Sequence, residues 1–373
     1  MDISSEMIHG LLPLFMMTTL GVSAFTIGVI EGVAESTALI MRIFSGILSD
    51  YLGKRKYLVL LGYTLAAFTK PLFALANNIE LVFTARFADR IGKGIRGAPR
   101  DALITDITPS SLRGAAFGLR QSLDTIGALL GPLLATGLML LWSNNFRSVF
   151  WVASIPAFLA VIVLFLGVHE PKNENSNDHL NPLTYDNLKK LDASYWWVVG
   201  IGAIFTLARF SEAFLVLRAQ QNGFSLATAP FVMVLMNIIY ALSAYPFGSL
   251  SDRMNHYQLL SFGIFLLIIA DLVLAINDSW QTILIGIIFW GLHMGITQGL
   301  LARMVADTAP LDLRGTAFGI FNLVSGIAML LASVIAGLLW DLAGASSTFY
   351  AGTFFCLLSL IGLNRRSANK LEN

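Results

Sequence analysis

Charge is what this sequence has least of. Only 13% of its 373 residues are charged, against 56% hydrophobic, where a soluble globular domain carries about a quarter charged. A chain so composed cannot face water on every side. Its net charge of +1 excludes polyanion binding, nucleic acid included, as its main business. It has one cysteine, Cys356, which excludes an internal disulfide and any paired-cysteine metal site. No glycine-rich phosphate loop follows a strand, since the glycines lie within apolar stretches. That excludes an ATP-hydrolysing engine within the chain and leaves no assembled catalytic constellation, so the chain is not expected to be an enzyme. At the start, Asp2 and Glu6 stand where a cleavable signal would be basic.

What the chain has in quantity is apolar sequence of helix length. Mean hydropathy is +0.71, and 32 Gly, 26 Phe and 7 Trp suit a lipid environment. A membrane helix needs roughly 20 mostly apolar residues. Spans are predicted near 25–48, 57–76, 79–103, 114–141, 146–167, 195–219, 227–249, 258–276, 279–305, 315–340 and 345–364. Short turns at Asn77-Asn78, Asn144-Asn145, Asn277-Asp278 and Gly344-Ala345 separate several of them. An incomplete span ends near Leu20. His9 to Leu20 is too short to cross a bilayer, so the first helix is expected to begin upstream. The fold class expected is all-α, polytopic and membrane-embedded.

Basic residues set an orientation. Lys54, Arg55, Lys56, Arg113, Arg253 and Arg314 fall in turns on one side, with Lys172, Lys189 and Lys190 in the middle segment and Arg365 and Arg366 at the end. By the positive-inside rule that side is cytoplasmic, in a bacterial inner (plasma) membrane. Residues 168–194, with Asn173-Glu174-Asn175-Ser176-Asn177-Asp178, form the one long polar linker. The expected division is therefore an N-terminal bundle over 1–167, a cytoplasmic linker over 168–194 and a C-terminal bundle over 195–373.

The halves repeat. Asp106-x-x-Pro109-x-x-Leu112-Arg113-Gly114-x-Ala116-Phe117-Gly118 returns as Asp307-x-x-Pro310-x-x-Leu313-Arg314-Gly315-x-Ala317-Phe318-Gly319, from 106 to 307. Gly46-x-x-x-Asp50 returns as Gly248-x-x-x-Asp252 at nearly the same offset. Chance likeness between apolar helices does not explain charged residues recurring at helix ends. Duplicated halves around a midplane site are a usual architecture of alternating access.

With these motifs in view, the chain resembles the major facilitator superfamily along essentially its whole length. The firmest sign is Gly46-Ile47-Leu48-Ser49-Asp50-Tyr51-Leu52-Gly53-Lys54-Arg55, which is similar to that family's signature between helices two and three. The resemblance implies two six-helix bundles and a cytoplasmic gating latch at Gly46, Asp50, Gly53, Lys54 and Arg55. The second copy, Gly248, Asp252 and Arg253, has decayed into Met254-Asn255-His256. Gly127-x-x-x-Gly131-Pro132 partly resembles the family's helix-five motif, common in exporters; as a seam of small residues with a proline bend it also serves packing alone.

Span four is unusual for its charge. Arg86, Asp89, Arg90, Lys93, Arg96, Arg100 and Asp101 put seven charges into sixteen residues. Most recur at helical three- and four-residue steps and share one face, which must look into the bundle because unpaired charge in lipid is costly. Asp89 is expected to pair with Arg86 or Arg90 within the helix. The resemblance links an arginine near Arg86 to proton transfer. Lys93, Arg96, Arg100 and Asp101 read as an ion-pair lock, and Lys70, before Pro71, as a snorkelling or kink-capping residue.

Other charges complete the candidate transport and proton-coupling set. Glu31 and Glu35 are one turn apart, as are Arg120 and Asp124; Glu6 belongs to the first helix, Arg209 and Glu212 share a face of span seven, and Asp271 is alone in span nine. A carboxylate near a movable arginine makes a physical proton switch, so Glu31 and Glu35 lead. His293 reads equally as a packing histidine. Asn237, Tyr240, Trp290, Gln298 and Phe205 could line a path. The expected function is a transmembrane carrier for a small organic compound, with no cofactor, no ATPase partner and H+ as coupling ion, working as a monomer. Export by antiport leads, and proton symport of a nutrient, anion or iron-chelate compound is the alternative.

Overall fold

The structure is a computed structural model. It describes residues 1–52, 54–109, 112–170, 191–251, 254–276, 279–297, 299–310 and 313–369, with backbone alone at 50, 114, 251 and 365–369. All described elements are helical. They are α1 Asp2–His9, α2 Leu12–Leu14, a π turn Phe15–Thr19, α3 Ala24–Leu52, α4 Arg55–Leu75, α5 Ile79–Ile107, α6 Arg113–Leu141 and α7 Phe146–Gly167, then α8 Ala193–Ala208, α9 Ala213–Gln221, α10 Phe231–Ser251, α11 His256–Ile276, α12 Trp280–Thr297, α13 Leu300–Thr308, α14 Arg314–Ala343 and α15 Ala345–Asn369.

Among the described residues, 10 stretches are long and apolar enough to cross a membrane. α5 is long enough, but its nine charges keep it out of that set. Of the expected turns, Asn277-Asp278 lies outside the described residues, and the others join helices. Asn78 and Asn145 cap α5 and α7, their side-chain oxygens accepting from Leu81 N at 3.0 Å and Ser148 N at 3.1 Å. Gly344 closes α14 with φ +85.

One expected span is interrupted within the described residues. Span seven breaks after Ala208 and resumes at Ala213, with Ser211 N donating to Ser333 Oγ at 3.2 Å. Arg209 caps the first segment and Glu212 precedes the second, so the expectation that they share one helix face is corrected: no continuous helix runs between them.

The chain forms two compact units: 1–22, 33–180 and 226–231 in the first, and 23–32, 181–225 and 232–373 in the second. In the first, α4 packs along α5, and Phe15 meets Phe146 and Phe150 at 5.8 and 5.4 Å between ring centroids. α1 packs along α6, where a Cβ on Gly131 would fall 2.5 Å from Glu6 Cβ and 2.9 Å from Ile3 O. Gly127 and Gly131 thus let the first helix lie close. In the second unit, α11 packs between α12 and α15, and Phe210, Phe214, Trp290, Trp340 and Phe349 form one aromatic cluster.

Candidate functional site

α5 carries the charge that defines the site. Its register puts Arg86, Asp89 and Arg90 on the buried face, each no more than 4% exposed, while Lys93 is exposed. Across from them, α3 offers Glu35. Its Oε1 lies 3.2 Å from Arg90 Nη2 and 3.6 Å from Arg86 Nη2. This carboxylate is 27% exposed, so the pair of guanidiniums holds a group that solvent can still reach.

Asp89 meets Arg90 of its own helix, as expected, and has a closer partner elsewhere. Its Oδ1 accepts from Lys70 Nζ of α4 at 2.7 Å, and its Oδ2 is 4.0 Å from Arg90 Nε. The main partner is therefore on another helix. Lys70 is 1% exposed and also donates to Ser5 Oγ of α1 at 3.1 Å, which corrects the snorkelling assignment: its ammonium has partners inside and no need of the surface. Sequence inspection missed this residue's role. Its signal was a lysine in the middle of an apolar span, with a carboxylate nineteen residues on. Glu6 adds a further carboxylate, with Oε2 3.4 Å from His9 Nδ1.

Toward the other end of α5 the charges form a lock. Arg120 Nη1 donates to Asp124 Oδ2 at 2.8 Å, as one-turn spacing predicts. Arg100 approaches Asp124 at 3.7 Å, Arg120 approaches Asp101 at 3.8 Å, and Arg42 donates to Asp101 at 3.0 Å. Arg96 lies over the Tyr63 ring at 4.6 Å and 3.7 Å from Asp2. Arg120 and Asp124 thus belong to a helix-tying network rather than to the Glu35 group.

The region around the Gly46–Arg55 motif is built on helix ends. Arg55 Nη1 donates to Asp106 Oδ2 at 2.5 Å. Glu170 accepts from the backbone N–H of Arg55 at 2.7 Å and of Lys56 at 2.8 Å, capping α4 from a distant part of the chain. In the second unit His256 Nδ1 lies 3.7 Å from Asp307 Oδ2. Asp106 and Asp307 are the repeated acids, and Arg55 and His256 stand at the same offset of 201 (55 to 256, 106 to 307). Arg113 and Arg314 begin α6 and α14, with Gly114 and Gly315 behind them. Gly46 faces Ala98, and Gly248 is exposed. Gly53, Asp252, Arg253, Gln298, the linker from 171 to 190 and the side chain of Asp50 lie outside the described residues.

The remaining candidates are in the second unit. Glu31 is 0% exposed, which excludes a water-facing position. Arg209 lies 5.7 Å from the Phe205 ring centroid. His293 is buried, with Nδ1 2.5 Å from Trp290 O and its ring edge-on to Phe205 and Trp290, the packing arrangement weighed for it.

Two units of apolar helices with charge buried inside them define a polytopic membrane carrier. The model of the Major Facilitator Superfamily matches residues 1–211 and again 197–370, and the chain belongs to that superfamily. It is 33% identical over 365 residues to an uncharacterised MFS-type transporter of Methanocaldococcus jannaschii, covering 96% of this chain and 90% of that one. It is similar, at 24% identity over 342 residues, to a quinolone resistance protein of Staphylococcus aureus, with 88% and 84% covered. Its fold resembles the crystal structure of a peptide transporter with a TM-score of 0.81, 15% identity and 98% and 92% covered. The chain is thus a secondary transporter of a small organic compound by alternating access, and not an enzyme.

Proposed function

We propose that the chain is a proton-coupled symporter for a small organic anion, with Glu35, Arg86 and Arg90 as its coupling centre. The observation that carries this is Glu35, a partly exposed carboxylate shared by two buried guanidiniums. A substrate carboxylate or phosphate competes with Glu35 for the same donors. Once displaced, Glu35 loses the charges that keep it ionised, and a proton neutralises it. Anion and proton then load together, which is symport. Lys70 and Asp89 hold α5 in register beneath them. The orientation we take is the positive-inside one, with the linker and C-terminus cytoplasmic, in a plasma membrane and as a monomer.

Antiport keeps one specific argument, the likeness to proteins named for quinolone resistance. A cationic substrate would compete with the proton for Glu35 itself, so proton and substrate would exclude each other and move oppositely. The charge of the ligand separates the two. The purified chain, melted with panels of small organic anions and cations, is expected to be stabilised by an anion, with the shift lost in Arg86→Gln. Stabilisation by cations alone, lost in Glu35→Gln, would replace symport by antiport.

A further inference from the structure

The membrane carboxylates at the first unit's centre each have a cation or histidine beside them. Asp271, five residues before the end of α11, has no such neighbour. It is 0% exposed, and neither of its oxygens has a hydrogen-bond partner among the described residues. The packing around it is close. A Cβ on Gly352 of α15 would collide with Asp271 Oδ2 and fall 3.3 Å from Phe210 Cε1. Gly352 therefore makes the space that the carboxyl occupies. Phe210 in turn packs on Trp290 at 5.5 Å and Phe349 at 5.6 Å, so the carboxyl borders the aromatic cluster.

The other titratable groups nearby are accounted for. From α15, Cys356 is one turn beyond Gly352, buried and within electrostatic reach of Asp271. From α12, His293 engages the Trp290 carbonyl. At the break before α9, Arg209 lies over Phe205. From α9 itself, Arg218 Nε donates to the Leu274 carbonyl at 2.9 Å, one turn along α11. None of these is a counter-ion in contact with Asp271. A hard metal cation is a poor occupant, because a ring, a glycine and a thiol supply no oxygen ligands. A bare carboxylate in such surroundings is strongly disfavoured, whereas the neutral acid is not.

We propose that Asp271 is a proton-binding site of the second unit and that its proton takes part in the transport cycle. The second clause rests on the proton-coupled reading above. Phe210 stands on the break between α8 and α9, so that break is where the site opens for the proton to exchange. Its partner in the cycle is Glu35: one carboxyl is ionised between arginines while the other holds its proton without them.

Infrared difference spectroscopy of the full chain in lipid, stepped in pH with the proton as the only probe, tests the site. A protonated-carboxyl C=O band that shifts in D2O is expected in the wild type, displaced in Asp271→Glu, absent in Asp271→Asn and retained in Glu35→Gln. A wild type with no such band, or a band that survives in Asp271→Asn, overturns the proposal. Asparagine is close in shape to the neutral acid, so Asp271→Asn is expected to melt with the wild type; should it fail to fold, the wild-type and Asp271→Glu spectra still decide. Coupling is tested in liposomes. Proton-driven uptake lost in Glu35→Gln but intact in Asp271→Asn overturns the role of Asp271 and leaves the Glu35 reading standing. Substrate uptake in the wild type with no proton movement sinks that reading, while the band still decides whether Asp271 binds a proton.

Discussion

Lys70 is the residue whose removal the structure makes most costly. It is 1% exposed and its ammonium reaches Asp89 at 2.7 Å and Ser5 at 3.1 Å. Lys70→Ala leaves Asp89 buried beside only a distant guanidinium, and breaking a buried pair costs about 3–5 kcal/mol. The melting temperature of the variant should fall accordingly, while Lys70→Met with Asp89→Leu should restore much of it; a wild-type melt for Lys70→Ala would show the pair to be dispensable. Arg86, Arg90 and Glu35 were legible in the sequence because charge inside an apolar span needs a reason. Their pairing was legible only in part. Asp89 turns to α4 as well as to Arg90 of its own helix, and no periodicity within α5 shows which neighbour lies against it.

Helix ends carry the next level of argument. α3 begins at Ala24, and the backbone N–H groups of Ala24 and Phe25 donate to the Asp341 carboxylate of α14 at 3.1 and 2.9 Å. The contact is tight, since a Cβ on Gly337 would fall 2.8 Å from Phe25 Cα. A carboxylate at a helix N-terminus satisfies orphan donors and opposes the helix dipole. Asp341→Ala should cost about 0.5–2 kcal/mol in thermal or chemical denaturation, and Asp341→Asn less, because the amide oxygen still accepts. No loss in either would remove the cap from the account. Element positions were legible from apolar length and from Asn78 and Asn145. The break at 209–212 was not: Arg-Phe-Ser-Glu contains no proline or glycine, and its bond to Ser333 spans 122 residues. Remote caps such as Glu170 and Asp341 are likewise products of tertiary folding.

At the scale of the whole molecule the duplication is visible twice, in sequence and in ion pairs. Arg55–Asp106 closes at 2.5 Å with both side chains under 20% exposed, whereas His256–Asp307 is 3.7 Å apart with Asp307 55% exposed. An exposed pair contributes at most about 1 kcal/mol. Asp106→Asn should therefore slow transport by about fivefold or more and Asp307→Asn by less than about twofold; equal losses would mean the two latches carry equal weight. The repeat itself was legible, but its pairing partners were not, because Arg55 and His256 differ in type. The central claim is that Glu35 between Arg86 and Arg90 couples a proton to an anion. The direct measurement is internal pH in liposomes holding the chain, recorded while anionic compounds are offered against an imposed gradient. The account predicts inward proton flux with one class of anion, lost in both Glu35→Gln and Arg90→Gln. Transport that proceeds without proton movement and survives both substitutions would contradict it.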